Sequence, residues 1–383
     1  MKQYSMILTG DIILGERSAD FLQGVAPMME QADLVLAQLE VPYTDRAPEM
    51  KGLSRSPSTL EPLKGLVDAL TLAGNHVYDA GEVGVEDTTA WLKENGIPFT
   101  GGGRNLEEAS VPVIVDMDGC KVGYISYNCV GPKATWAGPG KSGNPYVEIL
   151  TYFDMGDVAN PGGPPERTVT WPEPSTFARM KREIAALREQ CDILCVYLHK
   201  GIVHKPVKLA DYEQTVAYAA IDAGADVVTS SHSHILHGIE VYKGKTIYHG
   251  LNNFVVWAPY LRPDFKRNLG DTKLAVDAEL EWARKRQERF GFVPDPDYPT
   301  YPFHPESVNT VAAKCIVEDG KIVETRYVPM IVDKEGVTRV VTRENGGQQV
   351  FDYMNKITDG AGLNADFEWV GDEVRIHVKE KGE

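Results

Sequence analysis

The chain has 383 residues, 43% of them hydrophobic, so it can bury a sizeable core and form one large domain or two ordinary ones. Its formal net charge is −16 at pH 7. That charge argues against a general binder of nucleic acids or of anionic membranes, because such proteins need a basic excess to neutralise phosphates, but it is compatible with a local basic pocket.

Two further features of the composition predict the cellular compartment. The chain has no apolar run that could span a bilayer or form the apolar centre of a secretory signal. Its five cysteines are scattered, with no Cys-x-x-Cys pair and no zinc-binding framework, which is typical of a reducing environment. We therefore expect a cytoplasmic protein without a transmembrane segment.

Short apolar runs alternate with segments of helical spacing through the first 260 residues. This alternation is typical of βα units, and hairpins are predicted at the Asp118-Gly119, Lys243-Gly244 and Asp319-Gly320 turns. The predicted strands are residues 4–9, 32–38, 70–73, 193–198 and 227–229. The predicted helices are residues 21–31, 60–69, 83–95, 177–190 and 210–223.

Three segments depart from this alternation. Residues 41–62 predict a loop in which Lys51 and Arg55 form either an anion-binding pair or part of a solvated surface. Residues 131–171 are rich in glycine, proline and aromatic residues, which predicts a long surface insertion. Residues 264–292 are heavily charged and have partly helical spacing.

Groups that can bind a metal ion follow the ends of five predicted strands. Because the carboxyl ends of strands in βα units share one edge of a sheet, these groups can converge there. Each group alone is more often structural, and Asp11 can also cap a helix N-terminus. Together they favour a site for one or two divalent ions such as Mn, Fe or Zn, because carboxylate, amide and imidazole ligands suit these metals and a carboxylate can bridge two ions. The groups are Asp11, Glu40, Asn75 with His76, His199, and His232 with His234.

Short motifs occur in a fixed order between residues 5 and 260. They include Gly10-Asp11-Ile12-Ile13-Leu14-Gly15, Gln38-Leu39-Glu40, Leu72-Ala73-Gly74-Asn75-His76, His199-Lys200-Gly201, Ser231-His232-Ser233-His234 and Asn252-Asn253-Phe254. In these motifs the sequence resembles the capsule-synthesis protein CapA family, also described as poly-γ-glutamate synthesis proteins. That family shares the calcineurin-like metallophosphoesterase fold.

The resemblance and the βα alternation together predict the architecture. We expect a four-layer α/β/β/α sandwich of the metallophosphoesterase type over residues 1–262. Residues 263–383 are expected to form a C-terminal extension that packs on the same domain. The aromatic-rich segments at residues 131–171 and 257–304 do not match the family pattern and suggest a particular substrate.

The resemblance also implies roles for individual residues. His76 becomes the general acid for the leaving group. Arg55 is implied to bind an anionic part of the substrate, and Asn253 to order the substrate side of the site through hydrogen bonds. Two positions depart from the wider superfamily, because Ile13 stands where a histidine is usual and Glu40 replaces a bridging aspartate, so one metal site lacks a ligand. The implied metal ligands are Asp11, Glu40, Asn75, His199, His232 and His234.

These features predict a metal-dependent hydrolase that acts on a phosphoester or amide bond of an anionic small-molecule or peptide-like substrate. A metal-bound hydroxide would attack, and His76 would protonate the leaving group. The family name implies a link to capsule or poly-γ-glutamate metabolism. Two alternatives stay open: a metal-independent peptide epimerase in which Asp11 works with His304 or His76, and a non-catalytic accessory protein that binds an anionic polymer.

Overall fold

The protein was analysed as a computed structural model, which describes residues 2–46, 55–157, 162–263 and 273–379, so Lys51 lies outside the described residues. Among the described residues, no helix has the length and hydropathy needed to cross a bilayer. The strands are β1 (Gln3–Ile13), β2 (Leu34–Leu39), β3 (Ala69–Thr71), β4 (Phe99–Thr100), β5 (Val113–Met117), β6 (Cys120–Asn128), β7 (Ile149–Asp154), β8 (Arg167–Pro172), β9 (Ile193–Lys200), β10 (Val227–His232), β11 (Leu236–Tyr242), β12 (Lys245–Leu251), β13 (Asn253–Val256), β14 (Asn309–Glu318), β15 (Lys321–Val332), β16 (Thr338–Val340), β17 (Ala365–Val370) and β18 (Glu373–Val378). The α-helices are α1 (Ser18–Leu22), α2 (Ala26–Glu30), α3 (Gly81–Glu94), α4 (Leu106–Ala109), α5 (Pro174–Arg188), α6 (Asp211–Asp222), α7 (Lys273–Phe290) and α8 (Gln348–Gly360).

Two large sheets form the centre of the fold. The ten-stranded sheet has the order β17-β18-β15-β14-β1-β2-β3-β4, with β13 added to β1 and β16 to β15. The six-stranded sheet has the order β11-β12-β10-β9-β6-β5. Strands β1 to β4 run parallel to one another, as do β6, β9 and β10, so each sheet contains the parallel core that βα alternation predicts.

The side chains of β9 show how the layers are stacked. Cys195 and Tyr197 point into a core shared by the two sheets, whereas Val196 and Leu198 point into a second core with helices α5 and α6. A third core joins the other face of the ten-stranded sheet to helices α1, α2 and α3. Because successive strand residues face opposite sides, each sheet is covered on both faces. The predicted four-layer α/β/β/α sandwich is therefore confirmed.

Several predicted elements differ from the structure. The helix predicted at residues 60–69 is wrong: a short 3-10 helix, Pro57–Leu63, contains a proline, and the chain then turns into β3. The single helix predicted at residues 21–31 is two short helices, because Pro27 starts a new helix after Val25. Helix α3 confirms the helix predicted at residues 83–95.

The prediction that residues 131–171 form a surface insertion is wrong in part. Strands β7 and β8 do form a largely exposed hairpin in this segment. Asn144 and Val147, however, are buried, and the Asn144 amide donates a hydrogen bond to the Gly74 carbonyl. The first part of the segment therefore supports the loop that carries Asn75 and His76.

The C-terminal part of the chain contributes strands next to β1. Strand β14 pairs antiparallel with β1 from Gln3↔Glu318 to Leu8↔Ala313. In an isolated fragment of residues 263–383, β14 would therefore lose its partner β1. We expect limited proteolysis followed by mass spectrometry to release no stably folded fragment of this kind. A protease-resistant fragment of residues 263–383 would contradict this expectation. The domain boundary at residue 262 stays a prediction.

Candidate metal centre

The predicted metal-binding side chains meet where the carboxyl ends of central strands from the two large sheets face each other. Asp11, Glu40 and Asn75 come from β1, β2 and the loop after β3 in the ten-stranded sheet. His199 is the next-to-last residue of β9 and His232 the last residue of β10, both in the six-stranded sheet. The expectation that one edge of one sheet carries all of them is wrong, because both sheets contribute.

Strand alternation aims two of these side chains between the sheets. On β2, Leu34 and Leu36 face the core shared by the sheets, so the same alternation directs Glu40 to that side. On β9, Tyr197 faces the shared core, and His199 follows it at the same face. Both Glu40 and His199 are fully buried.

Asp11 reaches the same space through an irregularity in β1. Leu8 faces the shared core, and regular alternation would turn Asp11 away from it, but the pairing of β1 with β2 shifts register between Leu8 and Asp11. Gly10 allows this path, since a Cβ there would lie 2.0 Å from the Asn252 carbonyl oxygen. Asp11 lies within β1, so its alternative reading as a helix N-cap is wrong.

The first group of side chains consists of Asp11, Glu40 and His234. His234 Nδ1 lies 3.8 Å from Asp11 Oδ2, and His234 Nε2 lies 3.6 Å from Glu40 Oε1. The Asp11 carboxylate also accepts hydrogen bonds from the Ser231 hydroxyl and, at 3.2 Å, from the His232 backbone N–H. These bonds fix the orientation of the carboxylate.

The second group consists of Glu40, Asn75, His199 and His232. Glu40 Oε1 lies 3.8 Å from His199 Nε2, while Asn75 Oδ1 lies 2.8 Å from His199 Nε2 and 3.0 Å from His232 Nδ1. The Tyr197 hydroxyl lies 2.9 Å from His199 Nδ1 and so holds the other side of that ring. Glu40 belongs to both groups, which is the position of a bridging carboxylate.

The electrostatics of the cluster fit divalent cations. Both Glu40 carboxylate oxygens are buried and have no hydrogen-bond partner among the described residues. Burial, followed by the charge of Glu40, raises the pKa of Asp11 to about 7, and burial raises the pKa of Glu40 to about 7. Burial and the neighbouring imidazoles lower the pKa of His199 and His232 well below the usual value, so both rings are neutral. Two crowded carboxylates among neutral imidazoles form a donor set that suits Mn, Fe or Zn.

His76 points away from Asn75 and towards Asp79. Its Nδ1 lies 2.7 Å from Asp79 Oδ2, and the half-buried ring faces the cleft above the cluster. Burial favours the neutral ring, but the hydrogen bond to Asp79 and the charge of Glu40 outweigh it and raise the pKa of His76 to about 9. A ring of this kind carries a proton at neutral pH and can donate it.

Arg55, Asn253 and His304 occupy three different places. Arg55 is buried and lines the same cleft as His76. Asn253 Oδ1 lies 2.8 Å from His234 Nδ1, and its amide donates to the Tyr301 hydroxyl at 2.7 Å. His304 Nδ1 instead accepts a hydrogen bond from the Glu306 backbone N–H at the start of a 3-10 helix.

A family model described as "Bacterial capsule synthesis protein PGA_cap" matches residues 5–257. The chain belongs to this family. It is 24% identical to "Capsule biosynthesis protein CapA" of Bacillus anthracis, over 66% of this chain and 60% of that protein. It is 26% identical to "PGA biosynthesis protein CapA" of Bacillus subtilis (strain 168), over 66% of this chain and 63% of that protein. The PGA_cap chain thus matches less than two thirds of the length of these curated relatives.

Among solved structures, the PGA_cap chain is similar to calcineurin-like phosphoesterase YfkN from Bacillus subtilis. The identity is 14% and the TM-score is 0.38, over 94% of this chain and 97% of that chain. The resemblance to CapA proteins is confirmed by the family match.

A cleft of about 510 Å³ lies above the cluster in this PGA_cap chain. Ile13 lines this cleft, and its apolar side chain offers no ligand atom to the group around Asp11. Helix α7 forms one wall of this cleft, although the sequence predicted only a charged, partly helical segment there. The residues that this helix and the neighbouring segments add to the cleft are Val203, His204, Leu261, Trp282, Lys285, Arg286, Arg289, Phe290 and Phe303.

Proposed function

We propose that this PGA_cap chain is a metal-dependent hydrolase that cleaves a phosphoester or amide bond of an anionic substrate. The observation that carries the proposal is Glu40. Its two buried oxygens have no donor among the described residues, and its carboxylate lies between two groups of ligand-type atoms. Burying such a carboxylate is costly unless a cation offsets the charge, so the arrangement favours bound metal ions.

The residues proposed to hold one ion are Asp11, Glu40 and His234, and those proposed for a second are Glu40, Asn75, His199 and His232. Divalent ions bound there would supply hydroxide near neutral pH. His76 holds a proton on the cleft side of the cluster, and Asp79 orients its ring. Tyr197 and Asn253 orient the rings of His199 and His234. The buried Arg55 adds a positive charge to the cleft, which favours an anionic substrate.

The names of two relatives suggest a class of substrate. Two curated relatives are described as capsule or PGA biosynthesis proteins. We therefore propose that this chain acts in poly-γ-glutamate or capsule metabolism, with the γ-linked amide as the first bond to test and a phosphoester as the second.

A second candidate function is a non-catalytic accessory role. A relative from Mycobacterium tuberculosis (strain ATCC 25618 / H37Rv), 28% identical over 48% of this chain and 44% of that protein, is named "Probable polyglutamine synthesis accessory protein Rv0574c". In that role the cationic cleft would hold an anionic polymer without cleaving it. The epimerase alternative, in which Asp11 works with His304 or His76, has less support. It gives no role to the buried Glu40 carboxylate, and His304 is not among the described residues that line the cleft.

His232→Ala tests the metal-hydrolase proposal. We expect the wild type to retain one or two divalent ions per chain after desalting, and the variant to lose metal and activity together, because a ligand-type nitrogen is removed. The measurements are metal content by plasma mass spectrometry and the rates with bis(p-nitrophenyl) phosphate and γ-glutamyl-p-nitroanilide. The matched control is His377→Ala, which changes a half-exposed histidine on β18. This variant should keep both its metal and its activity. A wild type that retains no metal after loading with Mn, Fe or Zn would overturn the proposal and favour the accessory role.

A further inference from the structure

The loop after β3 brings Asn75 to the metal centre by way of a glycine. A Cβ atom at Gly74 would lie 3.2 Å from Gln38 Nε2 and 3.4 Å from His199 Cε1, so the backbone passes close to both side chains. This approach places Asn75 Oδ1 within 3.0 Å of ring nitrogens of His199 and His232. Glycine also has the greatest backbone freedom of any residue. The loop therefore needs outside support if Asn75 is to stay in place.

Two side-chain amides hold the peptide groups on either side of Gly74. Gln38 Nε2 donates a hydrogen bond to the Ala73 carbonyl at 3.3 Å, and Asn144 Nδ2 donates to the Gly74 carbonyl at 2.5 Å. Because peptide groups are planar, fixing the direction of two successive carbonyls restricts both backbone dihedral angles of Gly74. The second peptide group leads directly into Asn75. Its orientation therefore sets the direction in which the Asn75 side chain leaves the loop.

The two amides come from different parts of the fold. Gln38 lies on β2 of the ten-stranded sheet, and Asn144 lies in the segment between β6 and β7. The backbone of Asn144 is itself held on both sides, since its N–H donates to the Thr135 carbonyl and its carbonyl accepts from the Ala137 N–H, each at 2.9 Å. Both amide side chains belong to fully buried residues. Asn144 is thus a donor in a fixed position.

The oxygens of the same two amides indicate what the side chains are for. Gln38 Oε1 and Asn144 Oδ1 are buried and have no hydrogen-bond donor in the described part of the chain. A buried amide oxygen without a donor lowers stability, so an aliphatic side chain of similar size would suit a role in packing at least as well. What an aliphatic side chain lacks is the N–H group that each amide directs at the loop. The pattern therefore favours a role in positioning.

We propose that Asn144 is a positioning residue for the metal centre and that, together with Gln38, it fixes Asn75 between His199 and His232. The inference rests on the proposed function only in taking these side chains as an ion site. The position of Asn75 is a property of the metal-free protein as well, so it can be tested without metal.

The other group of ligand-type side chains has supports of its own. His234 Nδ1 lies 2.8 Å from Asn253 Oδ1, and the Asp11 carboxylate accepts a hydrogen bond from the Ser231 hydroxyl. Neither contact involves the loop after β3. Loss of the Asn144 amide should therefore disturb the ion site of Asn75 and leave the site of Asp11 and His234 in place.

Asn144→Leu tests this in the full-length chain, because leucine has a similar size and no donor. In metal-free protein, the nitrogen NMR signals of the His199 and His232 rings should shift, since their hydrogen bonds to Asn75 change. The ring signals of His234 should stay as they are in the wild type.

Calorimetric titration with Mn²⁺ gives the second measurement. In Asn144→Leu, the affinity for one of the two ions should fall by about 10–100-fold, the usual effect of losing a hydrogen bond that orients a ligand. The affinity for the other ion should be kept. A general loss of stability would weaken both ions, so the selective pattern distinguishes positioning from a merely structural role.

Two further variants complete the experiment. Asn364→Ala is the matched control, because the Asn364 amide also donates to a backbone carbonyl, that of Val241 at 2.9 Å, and this variant should match the wild type in spectra and affinities. Gln38→Met removes the longer of the two bonds to the loop and should shift the same ring signals by a smaller amount. If Asn144→Leu does not fold, Gln38→Met decides the question by the same measurements.

Three results would overturn the inference: unchanged ring signals of His199 and His232, an equal shift of the His234 signals, or Mn²⁺ affinities that stay unchanged or fall equally for both ions. A wild type that binds fewer than two Mn²⁺ ions would instead count against the proposed pair of ion sites. The metal-free spectra then decide the role of Asn144 alone.

Discussion

Glu40→Gln should weaken metal binding by both groups of side chains in the candidate metal centre. The substitution keeps the shape of the side chain but removes the charge and places an amide donor beside ligand-type nitrogens of His199 and His234. Because Glu40 belongs to both groups, the fall in metal affinity should exceed the approximately 10–100-fold change that follows loss of a hydrogen bond to a ligand. Metal titration and hydrolysis rates should therefore fall together.

The stability of the same variant provides an independent check. In metal-free protein the Glu40 carboxylate is buried without a donor among the described residues, so the neutral amide should make the metal-free variant at least as stable as the metal-free wild type. Added Mn or Zn should raise the melting temperature of the wild type and leave that of the variant unchanged. Glu94→Gln, at an exposed position of α3, is the control. A variant that still binds two ions would exclude Glu40 as a bridging ligand.

Strand alternation made part of this site predictable from the sequence. The runs Leu34–Leu39 and Ile193–Lys200 are buried along their whole length, and the apolar pattern of each run is enough to identify the polar residues at its end as convergent groups. The alternation also fixes which face they occupy. The positions of Glu40 and His199 on the side that faces the other sheet follow directly from this alternation. The motifs that contain these residues support the same positions.

The rest of the site depends on contacts between residues distant in sequence. Asp11 faces the cluster because of the register shift between Leu8 and Asp11, and no local pattern in β1 shows that shift. Tyr197 and Ser231 lie on strands of the six-stranded sheet, and their hydroxyls donate to Asp11, which the ten-stranded sheet carries. The sequence predicted that these strands end at one edge of a single sheet, because alternation indicates the face of a strand but not which strands are its neighbours.

The cleft face of helix α7 could likewise be predicted only in part from the sequence. Residues 264–292 were predicted to be heavily charged and partly helical, but many charged helices face only solvent. The combination of Trp282 and Phe290 with Arg286 and Arg289 at helical spacing was a usable signal for a mixed aromatic and cationic face. The position of that face above His234 follows from the contacts of His204 and Phe303, which lie elsewhere in the sequence.

His76→Asn should separate proton transfer from metal binding. His76 Nδ1 lies 2.7 Å from Asp79, whereas the neighbouring Asn75 oxygen faces the nitrogens of His199 and His232. The variant should therefore keep its metal and lose turnover by about 10²–10⁴-fold, the usual effect of losing a general acid. Its melting temperature should change little, because the ring is half-buried and its removal opens no core cavity.

The leaving group provides the sharper test of the same role. A substrate whose leaving group needs no proton, such as bis(p-nitrophenyl) phosphate, should lose much less rate in His76→Asn than an ester of a simple alcohol or a γ-linked amide does. A variant with an equal loss on both kinds of substrate would contradict proton donation by His76. Loss of metal from His76→Asn would make His76 a ligand, and full activity on the amide would remove it from the chemistry altogether. Because His232→Ala is expected to lose metal and rate together, the two variants distinguish a residue that holds the ions from one that delivers the proton.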